Sequence, residues 1–441
     1  MSVLQKQLSP DEKVKAGKLG SGMVKVGVAV FVVFMALSVV LGSMHGDHWK
    51  RFLFSYVIGW SYIASIAIGM LWLVLLHHLT RSRWSTVVRR IAECMTGAFP
   101  LIWVAGLGFI IPVLFGNENL YFWSYLTHAR DAANSPGATD VAQQLWHSLE
   151  KANPTMLHKL GWLDPVFFAV RFVVYGVIYS AIAMYFSKKS RQQDESGDPK
   201  LSEQMRIASG PAMILFAIVT CLVAFDVLMS LAPKWYSTIY GVTFWGSACV
   251  GGFAALALIV LWIQRSGRLV TAINEEHYHD IGKWIFSFTF FWAYTAFSQF
   301  MLQWYGNMPD ETVWYKYRMF GEWQWVSIAI LVGYWAFPFV ILMSRWTKRI
   351  VPALVFFSVW QLVFHWLDLY WNAMPQYDWT ASQGPLSGPI LTHHVGFSPI
   401  DVTVWIALIG VFLIGVGRSL TGNLIPIKDP TLPLSLAHEQ L

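Results

Sequence analysis

An all-α polytopic membrane protein with ten transmembrane helices is the fold class this sequence predicts, and three observations predict it. First, 56% of the 441 residues are hydrophobic and only 13% are charged, where a soluble domain would carry about a quarter charged. Second, apolar runs of roughly 20 residues, the length needed to cross a bilayer, recur along the whole chain. They start near Met23, Phe52, Ile91, Leu163, Pro211, Tyr240, Trp284, Trp323, Ile350 and Pro399. Third, the 31 Lys and Arg are distributed unevenly between alternate connections. With the N-terminus inside, the inner side takes the basic residues of the first segment, of 81–90, 188–206, 265–283 and 345–349, and Arg418 and Lys428. The outer side keeps Lys50, Arg51, Arg130, Lys151, Lys159, Lys234, Lys316 and Arg318. Positive charge is retained on the cytoplasmic side, so both termini are expected there. The net charge of +6 is accounted for by this rule and gives no reason to invoke nucleic acid.

The first helix follows a polar segment, 1–22. Its apolar run is long enough to span and no small-residue cleavage pattern follows it, so no cleavable signal is expected. The ten-helix domain then covers 23–420. An outer loop at 116–162 is the best candidate for contact with an extracytoplasmic partner. Asp164-Pro165 opens the fourth helix, with Asp as cap and Pro at the first position. An inner loop at 187–210 is polar and expected to be mobile. A second outer loop, 372–398, is rich in Gly, Pro and aromatics, lacks Lys and Arg, and is expected to be ordered; it contains His393 and His394. The tail, 421–441, should lie along the cytoplasmic surface. Many of the 24 Trp fall near predicted helix ends, as in aromatic belts. Cys94, Cys221 and Cys249 are scattered, and no CxxC occurs, so no covalent haem, iron–sulfur cluster or metal site is expected of this chain.

Polar residues at membrane depth are costly and therefore informative. Ser358, Gln361, His365, Asp368 and Asn372 are spaced by three or four and share one helix face. At ~1.5 Å rise per residue this stripe runs ~21 Å. The fourth helix carries Arg171 and the fifth Asp226. The seventh carries two stripes, one of Ser287, Tyr294, Ser298 and Tyr305, the other of Thr295, Gln299 and Gln303. At the inner ends lie His77, His78, Glu93, His277, His279 and Asp280. Together these residues outline two half-paths that could carry protons, since membrane-embedded His and carboxylates are the usual relays. The structural alternatives remain open. Arg171 can pair with Asp226 or Asp368, Glu93 with Arg89 or Arg90, and the ninth-helix stripe can be a static seam between helices. The histidines at 77, 78, 277 and 279 can be interfacial, and Tyr294 and Ser298 can be packing.

Several runs carry a family resemblance. HWKRFLFSYVIGWSYIASIAIG from His48, followed by HHLTRSRWSTVVRRIAE from His77, is similar to the opening of the second large integral subunit of alternative complex III, the ActF family. FDVLMSLAPKWYSTIYG from Phe225 resembles the loop after the fifth helix of that family. HYHDIGKWIFSFTFFWAYTAFSQFMLQWYGNMPDET from His277 is the closest match, and HWLDLYWNAMP from His365 resembles the ninth helix. The runs cover most of the chain from His48 to Pro375. The resemblance implies an NrfD-like (polysulfide-reductase-like) membrane fold, with four-helix bundles of helices two to five and six to nine and with the first and tenth helices flanking. It implies a place in the bacterial cytoplasmic (inner) membrane, in a respiratory quinol:acceptor oxidoreductase. The partners it implies are a sister NrfD-like subunit, haem c subunits and an iron–sulfur subunit that carry the electrons, a terminal oxidase as acceptor, and membrane lipids. The sequence departs from the family pattern at three places: Val227 follows the fifth-helix Asp where a Trp is usual, LAPKW stands for LDPHW, and Gly333-Tyr334 stands for Gly-His.

The leading expectation is therefore a non-catalytic membrane subunit of a quinol-oxidising complex that supports assembly and also moves protons. It holds no redox cofactor itself. A second reading makes it a quinone-binding subunit, with His365 and Asp368 accepting quinol protons beside an aromatic slot of Trp366, Tyr370 and Trp371. A third is a free-standing transporter, against which no Gly/Pro-broken helix pair stands in corresponding halves of the sequence.

Overall fold

In a computed structural model, which describes residues 7–117, 119–377 and 395–438, the fold is 79% helical, with no strand among the described residues. Ten helices are long and apolar enough to cross a membrane: α1 (Leu19–His45), α2 (Lys50–Thr80), α3 (Thr86–Leu114), α4 (Pro165–Ser196), α5 (Lys200–Leu231), α6 (Tyr240–Arg265), α7 (Glu275–Gly306), α8 (Trp323–Met343), α9 (Val351–Gln376) and α10 (Pro399–Ser419). The protein is thus a multi-pass membrane protein by its helices, as the apolar runs predict.

Three boundaries differ from the sequence reading for one reason. Helices α4 and α5 continue as polar helix beyond the membrane-length apolar run. The expected loop 187–210 shrinks to a turn at Gly197, whose φ of 67° closes α4 in the left-handed region. The polar extensions are tied to each other by Gln193 Nε2 to Ser202 Oγ at 2.6 Å and Lys189 Nζ to Gln204 Oε1 at 3.0 Å. Pro211 lies inside α5 rather than at its start. It lacks one amide donor, which a long helix tolerates at a local cost. Likewise α7 begins at Glu275, where Asn274 and His277 form a reciprocal capping box. The outer connection 116–162 is not irregular either, for it holds helices Phe122–Ala133 and Asp140–Ala152. The greater part of the expected outer loop 372–398, including His393 and His394, lies outside the described residues.

Helix α2 is the axis of the molecule. Its most apolar stretch is wholly buried, and it touches α3, α5, α6, α9 and α10. Small residues allow this: Gly69 lies so close to α6 that a Cβ there would stand 2.2 Å from the Ala248 carbonyl oxygen. Close backbone approach at small residues is how helices associate where no hydrophobic force separates protein from lipid. At the periphery, α1 is held mainly by α10 and is exposed along most of its length. Gly27 and Gly410 face each other, and a Cβ on either would meet the other's carbonyl oxygen at 2.8 and 2.7 Å.

The segment before α1 and the segment after α10 meet at the basic ends of the helices. Lys15 pairs with Asn423 in an antiparallel bridge, flanked by Ala16 N–H to Gly422 O at 2.8 Å and Leu424 N–H to Val14 O at 2.7 Å. Glu12 accepts the amides of Val270, Thr271 and Ala272 between 2.7 and 3.1 Å. Partial burial opposes ionisation there, but the Thr271 hydroxyl and these amides hold the Glu12 carboxyl below its usual range.

The glycine contact generates a prediction. Gly410→Leu should displace α1 while leaving the other nine helices packed. A disulfide cross-link engineered between α1 and α10 should form in the parent and fail in this variant. Equal cross-linking yields would show that the close approach is dispensable.

Candidate functional site

The centre of the membrane region holds a buried polar cluster built by four helices. His365 and Asp368 of α9 project one turn apart, and the α6 hydroxyl of Ser247 sits between them. Ser247 Oγ is 2.8 Å from His365 Nδ1 and donates to Asp368 Oδ2 at 2.9 Å. The Tyr334 hydroxyl of α8 lies 2.9 Å from Ser247 Oγ and 3.4 Å from His365 Nδ1. On the other side of the ring, His365 Nε2 lies 2.7 Å from Ser65 Oγ of α2. His365, Ser65 and Tyr334 have no exposed surface. Gly251 of α6 makes room for the ring, since a Cβ there would come within 2.9 Å of His365 Cδ2.

Asp368 completes its contacts with Asn372 Nδ2 at 3.3 Å and with the Trp292 indole. No basic side chain pairs with it among the described residues. Gln361, one turn toward the basic end, donates to Thr289 Oγ1 at 2.7 Å. Ser65, His365, Ser247, Asp368 and Tyr334 each carry a group that can donate or accept a hydrogen bond, and they form one connected set. The arrangement can therefore hold and pass a proton, and its one acid has no cation to fix it as an anion.

Tyr334 lies in a π-helical segment of α8, Ile330–Ala336. Asp226 lies in another, Ala224–Leu228 of α5. A π turn inserts one residue into the α ladder, re-aims side chains and is common at functional sites. Asp226 is the hub of a second cluster toward the opposite end. Arg171 Nε donates to its Oδ2 at 2.7 Å, Tyr175 OH at 2.8 Å, and Trp162 Nε1 to its Oδ1 at 2.8 Å. The guanidinium also lies 4.2 Å from the Trp162 ring centroid. Arg171 is thus paired with Asp226 and not with Asp368. Gln299 and Gln303 face the loop after α5: Ser237 Oγ donates to Gln299 at 3.2 Å, and Trp235 Nε1 to Gln303 at 3.0 Å.

Tyr294 and Ser298, expected among the proton-path residues, do not join the cluster. Tyr294 is 59% exposed, and Ser298 donates to its own helix at Tyr294 O. A helix can turn only one of its two polar stripes inward. The one with Thr295, Gln299 and Gln303 goes inside, where its amides find partners, and the Tyr-bearing stripe faces out. The expected aromatic slot is likewise divided. Trp366 stacks on Trp405 of α10 at 5.0 Å, whereas Trp371 packs on Trp314 at 5.2 Å.

The basic-end residues form two separate groups. Under α2 and α3, Arg89 contacts Glu93 at 3.0 Å, Asp429 of the tail at 2.8 Å and His77 Nε2 at 2.8 Å. Arg90 pairs with Glu93 at 3.1 Å and Asp194 at 2.8 Å. Burial alone would raise the Asp429 carboxyl, but Arg89 and the Thr431 hydroxyl and amide hold it below its ordinary range. Under α7, Asp280 binds Lys283 at 2.5 Å and His438 of the tail at 2.8 Å. Glu276 pairs with Arg349 and lies 3.6 Å from His279. Sequence reasoning missed Ser65, Ser247 and Tyr334 as site residues, and it missed the buried pair Arg51–Asp401, in which Ser55 Oγ also donates to Asp401 at 2.6 Å.

No protein-family model matches this chain, and a search of curated proteins returns no match.

Because Asp226 is buried among three donors, Arg171→Gln should leave an uncompensated carboxylate and cost ~3–5 kcal/mol. The double variant with Asp226→Asn should recover part of that loss. Denaturant unfolding in detergent measures both, and an unfolding midpoint for Arg171→Gln equal to the parent's would refute a stabilising pair.

Proposed function

We propose that this protein is an ActF-like integral subunit of alternative complex III, a bacterial respiratory quinol:acceptor oxidoreductase of the cytoplasmic membrane, and that it moves protons within that complex. Membership of the complex rests on the sequence runs from His48 to Pro375. The proton role rests on one structural observation: Asp368 is buried without a cation and is bridged through Ser247 to His365 and Tyr334. A structural carboxylate at this depth would be expected to have a basic partner, as Asp226 and Asp401 have.

In this reading α2–α5 and α6–α9 are two four-helix bundles, with α1 and α10 flanking and both termini cytoplasmic. The contacts of α2 with α3 and α5, of α4 with α3 and α5, and of α6 with α7 and α9 support that grouping. Electrons travel through the haem c and iron–sulfur partner subunits, and this chain holds no redox group. Tyr334, the departure from the family's Gly-His, places a hydroxyl in hydrogen-bond contact with Ser247 at the position of that His.

The second reading places quinone beside His365 and Trp366. Against it, the Trp366 face is already covered by Trp405. The transporter reading draws on the π turns of α5 and α8, but the two breaks do not stand in corresponding positions of the two bundles.

Asp368→Asn keeps the shape and most hydrogen bonds of the site but cannot give up a proton. In reconstituted vesicles, the assembled complex with this change should keep quinol-to-acceptor electron transfer and lose most proton translocation. An unchanged proton-to-electron ratio would reduce the cluster to a structural seam. Gentle solubilisation should bring the chain out with red haem protein; a chain that purifies alone under those conditions contradicts the complex.

A further inference from the structure

A cavity of about 180 Å³ opens at the basic end, between the end of α2, the start of α5 and the tail. Its mouth carries Arg81 and Arg206, whose side chains are 68% and 36% exposed. Both lean on a single carboxylate: Glu203 Oε2 is 3.4 Å from Arg81 Nη2 and accepts from Arg206 Nε at 2.9 Å. Two guanidinium groups around one carboxylate leave one positive charge unanswered at the rim. Deeper in, Arg89 is committed to Asp429 and Glu93 and adds no free charge. His78 also lines the cavity. It is 5% exposed, its ring stacks on Phe186, and its buried Nε2 has no protein partner. A buried polar atom left so is an exception among folded proteins.

The surroundings specify the kind of ligand. The cavity lies where α2 leaves the membrane. The outward face of α5 below it is apolar and exposed at Ile207, Ile214 and Ile218, positions that recur on one helix face. Leu79 of α2 is exposed beside it. A positively biased pocket between helices at the cytoplasmic interface, above a strip of exposed aliphatic side chains, has the chemistry of a lipid headgroup site.

We propose that this cavity holds the phosphate of an anionic phospholipid, with Arg81 and Arg206 over the phosphate oxygens and the acyl chains along α5.

The test uses the whole chain, delipidated in detergent. Binding of phosphatidylglycerol is measured by native mass spectrometry, with phosphatidylcholine and inorganic phosphate in parallel. Saturable uptake of one phosphatidylglycerol is expected, with little uptake of phosphatidylcholine. Arg81→Gln and Arg206→Gln should each weaken it about five-fold, the size of one basic residue's contribution near an anionic lipid. Arg83→Gln, on the same surface but outside the cavity, should leave it unchanged. Both arginines are at the surface, and equal unfolding temperatures of the lipid-free variants and parent confirm that folding is preserved. Equal uptake by parent and both variants, or uptake of phosphatidylcholine equal to that of phosphatidylglycerol, overturns the proposal. Binding of inorganic phosphate without phosphatidylglycerol makes the cavity a free-anion site and equally overturns the lipid assignment.

Discussion

Burying α2 is the constraint on which the rest of this structure depends. A helix in the middle of a membrane protein cannot send its polar side chains to water, and each unanswered group costs free energy. Helix α2 carries Arg51, Ser55, Tyr62 and Ser65 on one face, and three residues of α9 and α10 meet them. Asp401 of α10 answers Arg51 and Ser55, the Trp405 ring packs on Tyr62, and His365 of α9 answers Ser65. At its basic end, His77 is answered by Arg89 and Ser85. The polar contacts of one buried helix thus fix the rotation of α9 and α10 and the position of α3. The central cluster is one point of that larger set of obligations.

Charge balance separates the structural polar sites from the candidate functional one. Arg51, Arg171, Arg89 and Arg90 each have a carboxylate. Arg318 is fully buried without one in its hydrogen-bond set. It donates to the carbonyls of Trp314, Trp371 and Asn372 and lies 3.5 Å from the Trp314 ring centroid. Two of those carbonyls belong to the end of α9, where the helix dipole favours a cation. Burial lowers Arg318 to about 9, which still leaves it charged at neutral pH. Asp368 is the reverse case, an acid surrounded by hydroxyls, an amide, an indole and, through Ser247, an imidazole. Ion pairs fix charge in place, whereas this set leaves the location of the proton open.

The ten spans and the pairing of Arg171 with a buried carboxylate are legible because length, hydropathy and the cost of a buried guanidinium constrain them strongly, whereas the choice of Asp226 over Asp368 needs the fold. Helical spacing correctly grouped Gln361, His365 and Asp368, but spacing defines a face and not what the face meets. That is why spacing alone puts Tyr294 and Ser298 among the path residues although their stripe faces out, and why it does not single out Thr289. Ser65 and Ser247 were illegible for a different reason: single hydroxyls are common in apolar helices, and only the approach of α2, α6 and α9 makes these two matter. The π turns that aim Asp226 and Tyr334 leave no mark in residue periodicity. Arg51 was counted as a flanking charge because it sits one residue into α2, and its buried partner lies 350 positions away. The polar extensions of α4 and α5 were read as loop because they are hydrophilic, although their tertiary partners hold them helical.

The distances between clusters say where a proton could enter the cluster from the basic side. Between Ser65 and His77, α2 presents Ile66, Ala67, Ile68, Gly69, Met70, Leu71, Trp72, Leu73, Val74, Leu75 and Leu76. That is twelve residue steps, ~18 Å of helix, without a hydroxyl, carboxylate, imidazole or amide side chain. The α7–α9 side descends further. Gln361 binds Thr289, and Thr289 is nine steps, ~14 Å, from Asp280 on the same helix. Asp280 is itself held by Lys283 and by His438 of the tail. Neither distance permits direct transfer between side chains, which requires hydrogen-bond contact. The shorter one lies under the tail. At the basic end the two groups hold the tail at separate points: Arg89 binds Asp429 beside α3, and Asp280 of α7 binds His438.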